Sequence, residues 1–218
     1  MQPQKTEFLD SYSAQKLCEK HKIKFVPSAL ARNEKELLQS CKKLGYPIAL
    51  KIVSRQIVHK SDVGGVQLNI QNESQARQAY ADMMKTVKKK APKAKVDGVL
   101  VQKMVQGTEL IVGSKKDAQF GHTILFGLGG IFVEVLKDFS LRISPLNKKM
   151  AEEMVRELKA YPIIAGTRGR KQLNERKIQD LLLKVDELVR KEKLQELDLN
   201  PVIATENDVI AIDARISR

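Results

Sequence analysis

The apolar runs of this chain are all of strand length. IALKIV, VQLNI, GVLVQKMV, TELIVGS, HTILFG, FVEVLKD, SLRIS, QELDLNPV and VIAIDARI are short, and Gly, Pro, Asn or Asp turns separate many of them. In VQLNI, Val66, Leu68 and Ile70 alternate with Gln67 and Asn69, which is the period of a strand with one buried face. So many short strands commit the chain to building sheets and covering them. The cover comes from a few amphipathic helices. Ala14, Leu17, Cys18 and His21 recur at helical spacing, and Asn33-Glu34-Lys35-Glu36 is a capping box whose helix closes at Gly45. Asn72 and Gln75 open a helix with the stripe Ala76, Tyr80, Met83 and Val87, which ends before Pro92. Two more helices are expected from about Asn147 to Lys159 and from about Asn174 to Glu192. The expected class is α+β (α/β): an N-terminal helix and extension over 1–22, then two α+β lobes over 23–99 and 100–218. A tight hinge near residues 100–106 would leave a cleft between the lobes, the usual place for a ligand.

No window approaches the ~18 consecutive apolar residues of a spanning helix, and the polar start MQPQKTEFLDSYSAQ has no secretory h-region, so a cytoplasmic protein with no membrane partner is expected. Cys18 and Cys41 are far apart, outside any CxxC spacing, and read as reduced core thiols on helices. The net charge of +13 at pH 7 favours an anionic partner without choosing one. The densest basic stretch is KTVKKKAPKAK, Lys85 to Lys95. Trp is absent and other aromatics are sparse, so this stretch lacks the stacking platforms of a nucleic-acid surface and reads as a solvated face.

Several residues could carry chemistry. Lys51 interrupts the apolar run IALKIV on the face shared by Ala49 and Val53; if that face is buried its ammonium needs an anion, and if it is exposed it is an ordinary surface lysine. In QELDLNPV, Glu196, Asp198 and Asn200 share a face opposite to Leu197 and Leu199. A turn centred between Glu206 and Asn207 sets Asn200 directly across from Asp213. A carboxylate and an amide oxygen so placed, with Asp198 or Glu196 beside them, suit magnesium that keeps phosphate and water, while a solvated polar hairpin is the plain alternative. Glu109 and Glu134 are lone acids in apolar strands, FGLGG (Phe126 to Gly130) can bring amides close to an anion, and Arg142 is either a phosphate fork or a surface residue. No GxxxxGK[ST] loop is present. In HKSDVGG, His59 to Gly65, a neutral imidazole sits among polar and glycine residues, either as a phosphoryl nucleophile or as a polar loop residue.

Taken in order, PIALKIVSRQIVHKSDVGGV, VLVQKMVQGTELIVG, DAQFGHTILFGLGGIFVEVLKDFSLRISPL, AYPIIAGTRGR and ELDLNPV with AIDARI resemble the ATP-grasp subunit or domain of ADP-forming acyl-CoA synthetases, from about residue 12 to the end. The C-terminal LDLNP and IDARI also resemble the metal-binding hairpin of the succinyl-CoA synthetase β subunit, a more distant relative. The resemblance implies an ATP-grasp fold with the nucleotide cleft between its two lobes, and a part in the reversible conversion of acyl-CoA, ADP and phosphate to carboxylic acid, ATP and CoA. A CoA-binding α subunit would be the partner, in an expected α2β2 heterotetramer. By the same resemblance His59 is the phosphorylated histidine, and Glu134 and Arg142 line the phosphoryl path. Lys51, Gly64 and Gly65 lie at the phosphates of ATP or ADP, Gln102, Lys103 and Met104 along the adenine, and Glu109 at the ribose. Asp198, Asn200 and Asp213 fall in the magnesium region. Lys103 stands where relatives commonly carry glutamate, and Thr167 where an aromatic is frequent. A stand-alone ATP-grasp carboxylate ligase and a non-catalytic nucleotide-sensing module are the alternatives.

Overall fold

The capping signals mark where helices begin. In a computed structural model, which describes residues 7–57, 59–130, 135–167, 169 and 171–218, the Asn33 side chain accepts the Glu36 amide at 2.9 Å while the Glu36 carboxylate accepts the Arg32 amide at 2.8 Å. Helix α2 (Glu34–Leu44) follows and ends at Gly45, whose φ of 69° suits a residue without Cβ. Asn72 caps α3 (Glu73–Lys90) in the same way through the Gln75 amide.

These two helices cover one sheet of a unit formed by Asp10–Tyr12 and Val26–Val105. Its strands are β1 (Ser28–Ala31), β2 (Ile48–Val53), β3 (Val66–Ile70) and β4 (Gly98–Lys103), ordered β1-β4-β2-β3 and antiparallel throughout. Ile48, Leu50 and Ile52 of β2 and Val99 and Val101 of β4 point to the helices, where they meet Leu37, Cys41, Ala76, Met83 and Val87 in one core. The sequence reading cuts the chain at residue 100. The structure instead makes residues 98–103 an inner strand, bonded to β1 on one side and β2 on the other, so the change of unit comes after Val105.

The second unit takes Met1–Leu9, Ser13–Phe25 and Gln106–Arg218. A six-stranded sheet is built from β5 (Thr108–Asp117), β6 (Gly121–Leu128), β7 (Phe139–Ile143), β8 (Glu196–Ala204), β9 (Val209–Ala211) and β10 (Ala214–Ser217). Its path is β10-β8-β5-β6-β7, with β9 also on β8. Helix α4 (Lys148–Arg156), the short α5 (Tyr161–Ile164) and α6 (Glu175–Lys191) follow β7 in the chain. Leu110, Val112, Ile124, Phe126, Leu197 and Leu199 pack with Met154 and Val155 of α4 and Ile178, Leu182 and Val185 of α6. Ala14 and Cys18 of α1 (Ser11–Lys20) join that core, and burial pushes the Cys18 thiol up to about 12, which keeps it protonated. Both cysteines are buried and free, in agreement with the sequence reading.

Two further expectations change. His21 lies just beyond α1 and pairs through Nε2 with Glu192 at 2.9 Å. FVEVLKD was expected as a strand, but its described part, Val135 to Asp138, forms a turn. Lys137 adopts φ 50°, a left-handed conformation that ends any extended run, and the Asp138 carboxylate turns back to accept the Lys159 and Ala160 amides at 2.9 and 2.8 Å. Among the described residues no helix is long and apolar enough to cross a membrane.

Candidate active site

In the smaller unit the site begins with one strand. β2 is buried along its whole length, and its face turned away from the helices carries Ala49, Lys51 and Val53. Lys51 is 7% exposed, and Gln102, across from Ala49 on β4, is 1% exposed. Lys51 is therefore buried in the sheet and not exposed, the branch of the sequence argument in which its ammonium needs an anionic partner.

The loop after β2 returns to the strand it left. The Ile52 amide donates to Gly65 O at 2.8 Å, the Gly65 amide to Lys60 O at 2.7 Å and the Gly64 amide to Ser61 O at 3.0 Å, around a 3-10 turn over Ser61–Val63. Gly64 has φ 72°, and a Cβ on it would lie 2.8 Å from Thr86 Cγ2; one on Gly65 would lie 2.5 Å from Ile52 Cγ2. Both glycines are required by backbone shape and close packing. His59 is exposed on this loop, ahead of the turn they lock.

At the end of β4, Lys103 donates its ammonium to Tyr46 O at 2.7 Å and Gly45 O at 3.2 Å. The residue that departs from the family pattern thus ties down the turn after α2. Met104 donates its amide to Pro47 O at 3.1 Å, and its sulfur accepts the Asn69 amide.

In the larger unit the acids sort by strand face. Leu110 and Val112 of β5 point into the helix-covered core, so Glu109 and Gly113 point the other way, and Gly113 is paired with Asp198. Glu109 is exposed, and its carbonyl accepts the Gly129 amide of FGLGG at 2.7 Å. A Cβ on Gly129 would lie 3.0 Å from that of Glu109, so this glycine serves a close approach of two backbones.

The C-terminal register is the one the turn implied. Val202 pairs with Ala211 and Leu199 with Ala214, and the Ile212 amide donates to Pro201 O at 3.0 Å. Asn200 and Asp213 are therefore level with each other in the gap between β9 and β10. Asp198, two residues before Asn200, has its carboxyl pushed up by burial first and then by the neighbouring Glu196, against the pull of Arg215, with Asp213 adding to the rise. That is a patch of crowded negative charge which a divalent cation would relieve. Among the described residues no three His, Cys, Asp or Glu side chains group as a metal site. The donor set fits magnesium on the scheme of one or two carboxylates with an amide, phosphate oxygens and water completing the shell.

The structure separates Arg142 from this face. It pairs in register with Ile124, on the helix side of β7, and its guanidinium donates to both Glu157 oxygens at 2.8 and 2.6 Å, a bidentate pair that holds it firmly charged. Glu134 lies outside the described residues. Sequence reasoning overlooked Arg215, which sits opposite Asp198 and moderates its charge. The register that matched Asn200 with Asp213 also matches Asp198 with Arg215, so the signal was there.

Comparison with known proteins identifies the family. The ATP-grasp domain family matches residues 1–217. The chain is 48% identical over 189 residues to the β subunit of ADP-forming acetate–CoA ligase I from Pyrococcus furiosus, covering 86% of this chain and 82% of that one. It is also 48% identical over 200 residues to the ADP-forming acetate–CoA ligase I of Archaeoglobus fulgidus, covering 91% of this chain but 29% of that longer protein. An acetyl-coenzyme A synthetase from Candidatus Korarchaeum cryptofilum, solved with coenzyme A and Ca-AMPCP, superposes with a TM-score of 0.91 at 41% identity, over 96% of this chain and 93% of the other. Another structure of that synthetase, at TM-score 0.82 and 36% identity over 96% and 92% of the two chains, holds Mg-AMPPCP with a phosphohistidine segment pointing towards the nucleotide site. The chain belongs to the ATP-grasp family, as a counterpart of the β subunit of ADP-forming acetate–CoA ligases.

Proposed function

We propose that this chain is the nucleotide-side subunit of an ADP-forming acyl-CoA synthetase and that His59 relays the phosphoryl group. The observation that carries the reading is that the His59 loop closes back onto β2, the strand that buries Lys51. One strand thus fixes both a candidate nucleophile and a cation for phosphate oxygens. The other support is the company of the chain, a β subunit at 48% identity and a synthetase with a phosphohistidine segment.

The relay has two displacements. In the first, the P–N bond of a partner's phosphohistidine breaks as a P–N bond to His59 forms; each imidazole keeps a proton on its other ring nitrogen, so none need move. In the second, the bond to His59 breaks and a P–O bond to the terminal phosphate of ADP forms, giving ATP. Lys51 offsets charge on the transferring oxygens and orients them for in-line attack. The main chain over Gln102 to Met104 holds the adenine, and Glu109 accepts from the ribose hydroxyls. Asn200 and Asp213, with Asp198 beside them, hold Mg2+, which when bound supplies charge neutralisation for the nucleotide phosphates.

The acyl-CoA half belongs to a CoA-binding α subunit, in an α2β2 assembly working in the cytoplasm. The test is His59→Ala, reconstituted with that subunit. Phosphoryl transfer to ADP should fall below detection while the chain still binds Mg-ADP with nearly unchanged affinity. Full turnover by the variant would end the relay.

A further inference from the structure

The basic stretch Lys85 to Lys95 has no role in the nucleotide chemistry, yet it is fastened to the His59 loop at two places. Lys90 donates its ammonium to Asp62 O at 2.9 Å, and the Lys95 amide donates to Gln56 Oε1 at 2.5 Å. Thr86 packs against Gly64 of the same loop. The stretch therefore touches the loop both before and after His59.

Its charge is one-sided: six lysines and no acid over 85–95, all six exposed. Lysines in the last turn of α3 complement the helix dipole, but Lys93 and Lys95 lie beyond the helix. Lys85 and Lys88 also line a cavity of about 370 Å³ whose other walls are Met84, Val87, Ala91, Pro92, Ala94 and Val96. Lys95 pairs with Asp97 at 4.0 Å, but Lys85 and Lys88 edge the recess as exposed cations. An apolar recess so edged accepts an acidic segment that carries an apolar anchor: the charges steer the encounter, and the recess fixes the register.

We infer that the end of α3 and the following loop form the docking surface for an acidic, apolar-anchored segment of the subunit that delivers phosphoryl groups to His59. The inference rests on the relay proposed above. Docking there sets the donor beside the loop that carries the acceptor, through contacts independent of the nucleotide.

The test uses Lys85→Glu/Lys88→Glu/Lys89→Glu, which leaves Lys90 and the loop contacts in place, in complex with the co-expressed CoA-binding subunit. Labelling of His59 by Mg-ATP in the free chain should match wild type. Transfer between His59 and the partner should fall about tenfold or more at low ionic strength, and the wild-type rate should decline with added salt while the variant's stays flat. Wild-type transfer rates in the variant across the salt series would overturn the docking surface. So would a variant that loses only RNA binding, which would assign the lysines to nucleic acid. No labelling of His59 in the wild-type chain would instead overturn the relay itself.

Discussion

At the scale of single residues, backbone shape and burial fix what the side chains can do. Gly64 adopts φ 72° against Thr86, so Gly64→Ala adds a left-handed strain and a close contact that together cost about 1–2 kcal/mol. Chemical denaturation should show that loss, and labelling of His59 should slow with it; an unchanged midpoint would mean the loop does not need its glycine. His122 is a second case. Burial first, and then the Lys116 charge, push its pKa below the ordinary histidine value against the pull of Asp186, and its Nδ1 is buried without a partner among the described residues. A folded pKa below the unfolded one means that the native state binds fewer protons, so stability is full above about pH 6.5 and falls as pH drops through the depressed value. Denaturation midpoints from neutral pH to about pH 5 should therefore fall further for wild type than for His122→Gln. Parallel profiles would contradict this.

At the scale of elements, the C-terminal hairpin shows how far periodicity reaches. A period of two and one turn position place Asn200 across from Asp213, and the ladder on both sides keeps that register. If the pair holds Mg2+, Asp213→Asn should raise the Mg2+ needed for half-maximal His59 labelling roughly tenfold or more, the usual scale for weakening a metal shell, while far-UV dichroism stays unchanged. Equal Mg2+ dependence would move the metal elsewhere. The helix starts at Asn33, Asn72, Asn147 and Asn174 were legible for a local reason, since each cap is satisfied by an amide three residues on. Less legible was whatever depends on neighbours far away in the chain. Nothing around Gly98 to Lys103 says that this run lies between β1 and β2. Nothing in SLRIS says that Arg142 turns to Glu157, just past the end of a helix still to come. FVEVLKD has strand composition, but Lys137 and the Asp138 cap on Lys159 and Ala160 end it.

At the scale of the whole molecule, the chain carries two units with separate cores, and the candidate site residues divide between them. Lys51, Gln102 and His59 belong to one; Glu109, Asp198, Asn200 and Asp213 belong to the other. The relatives divide the same way at a larger scale, with this part standing as a separate β subunit in one and as 29% of a longer chain in another. The proposed relay gives that division a chemical sense, because it makes His59 the point where the acyl-CoA half hands over to the nucleotide half. The most direct measurement is mass spectrometry of the chain alone after incubation with Mg-ATP. The account predicts one added phosphate, labile to acid, on the peptide that contains His59 and absent from His59→Ala. A chain that stays unmodified, or that carries an acid-stable phosphate on another residue, would contradict it.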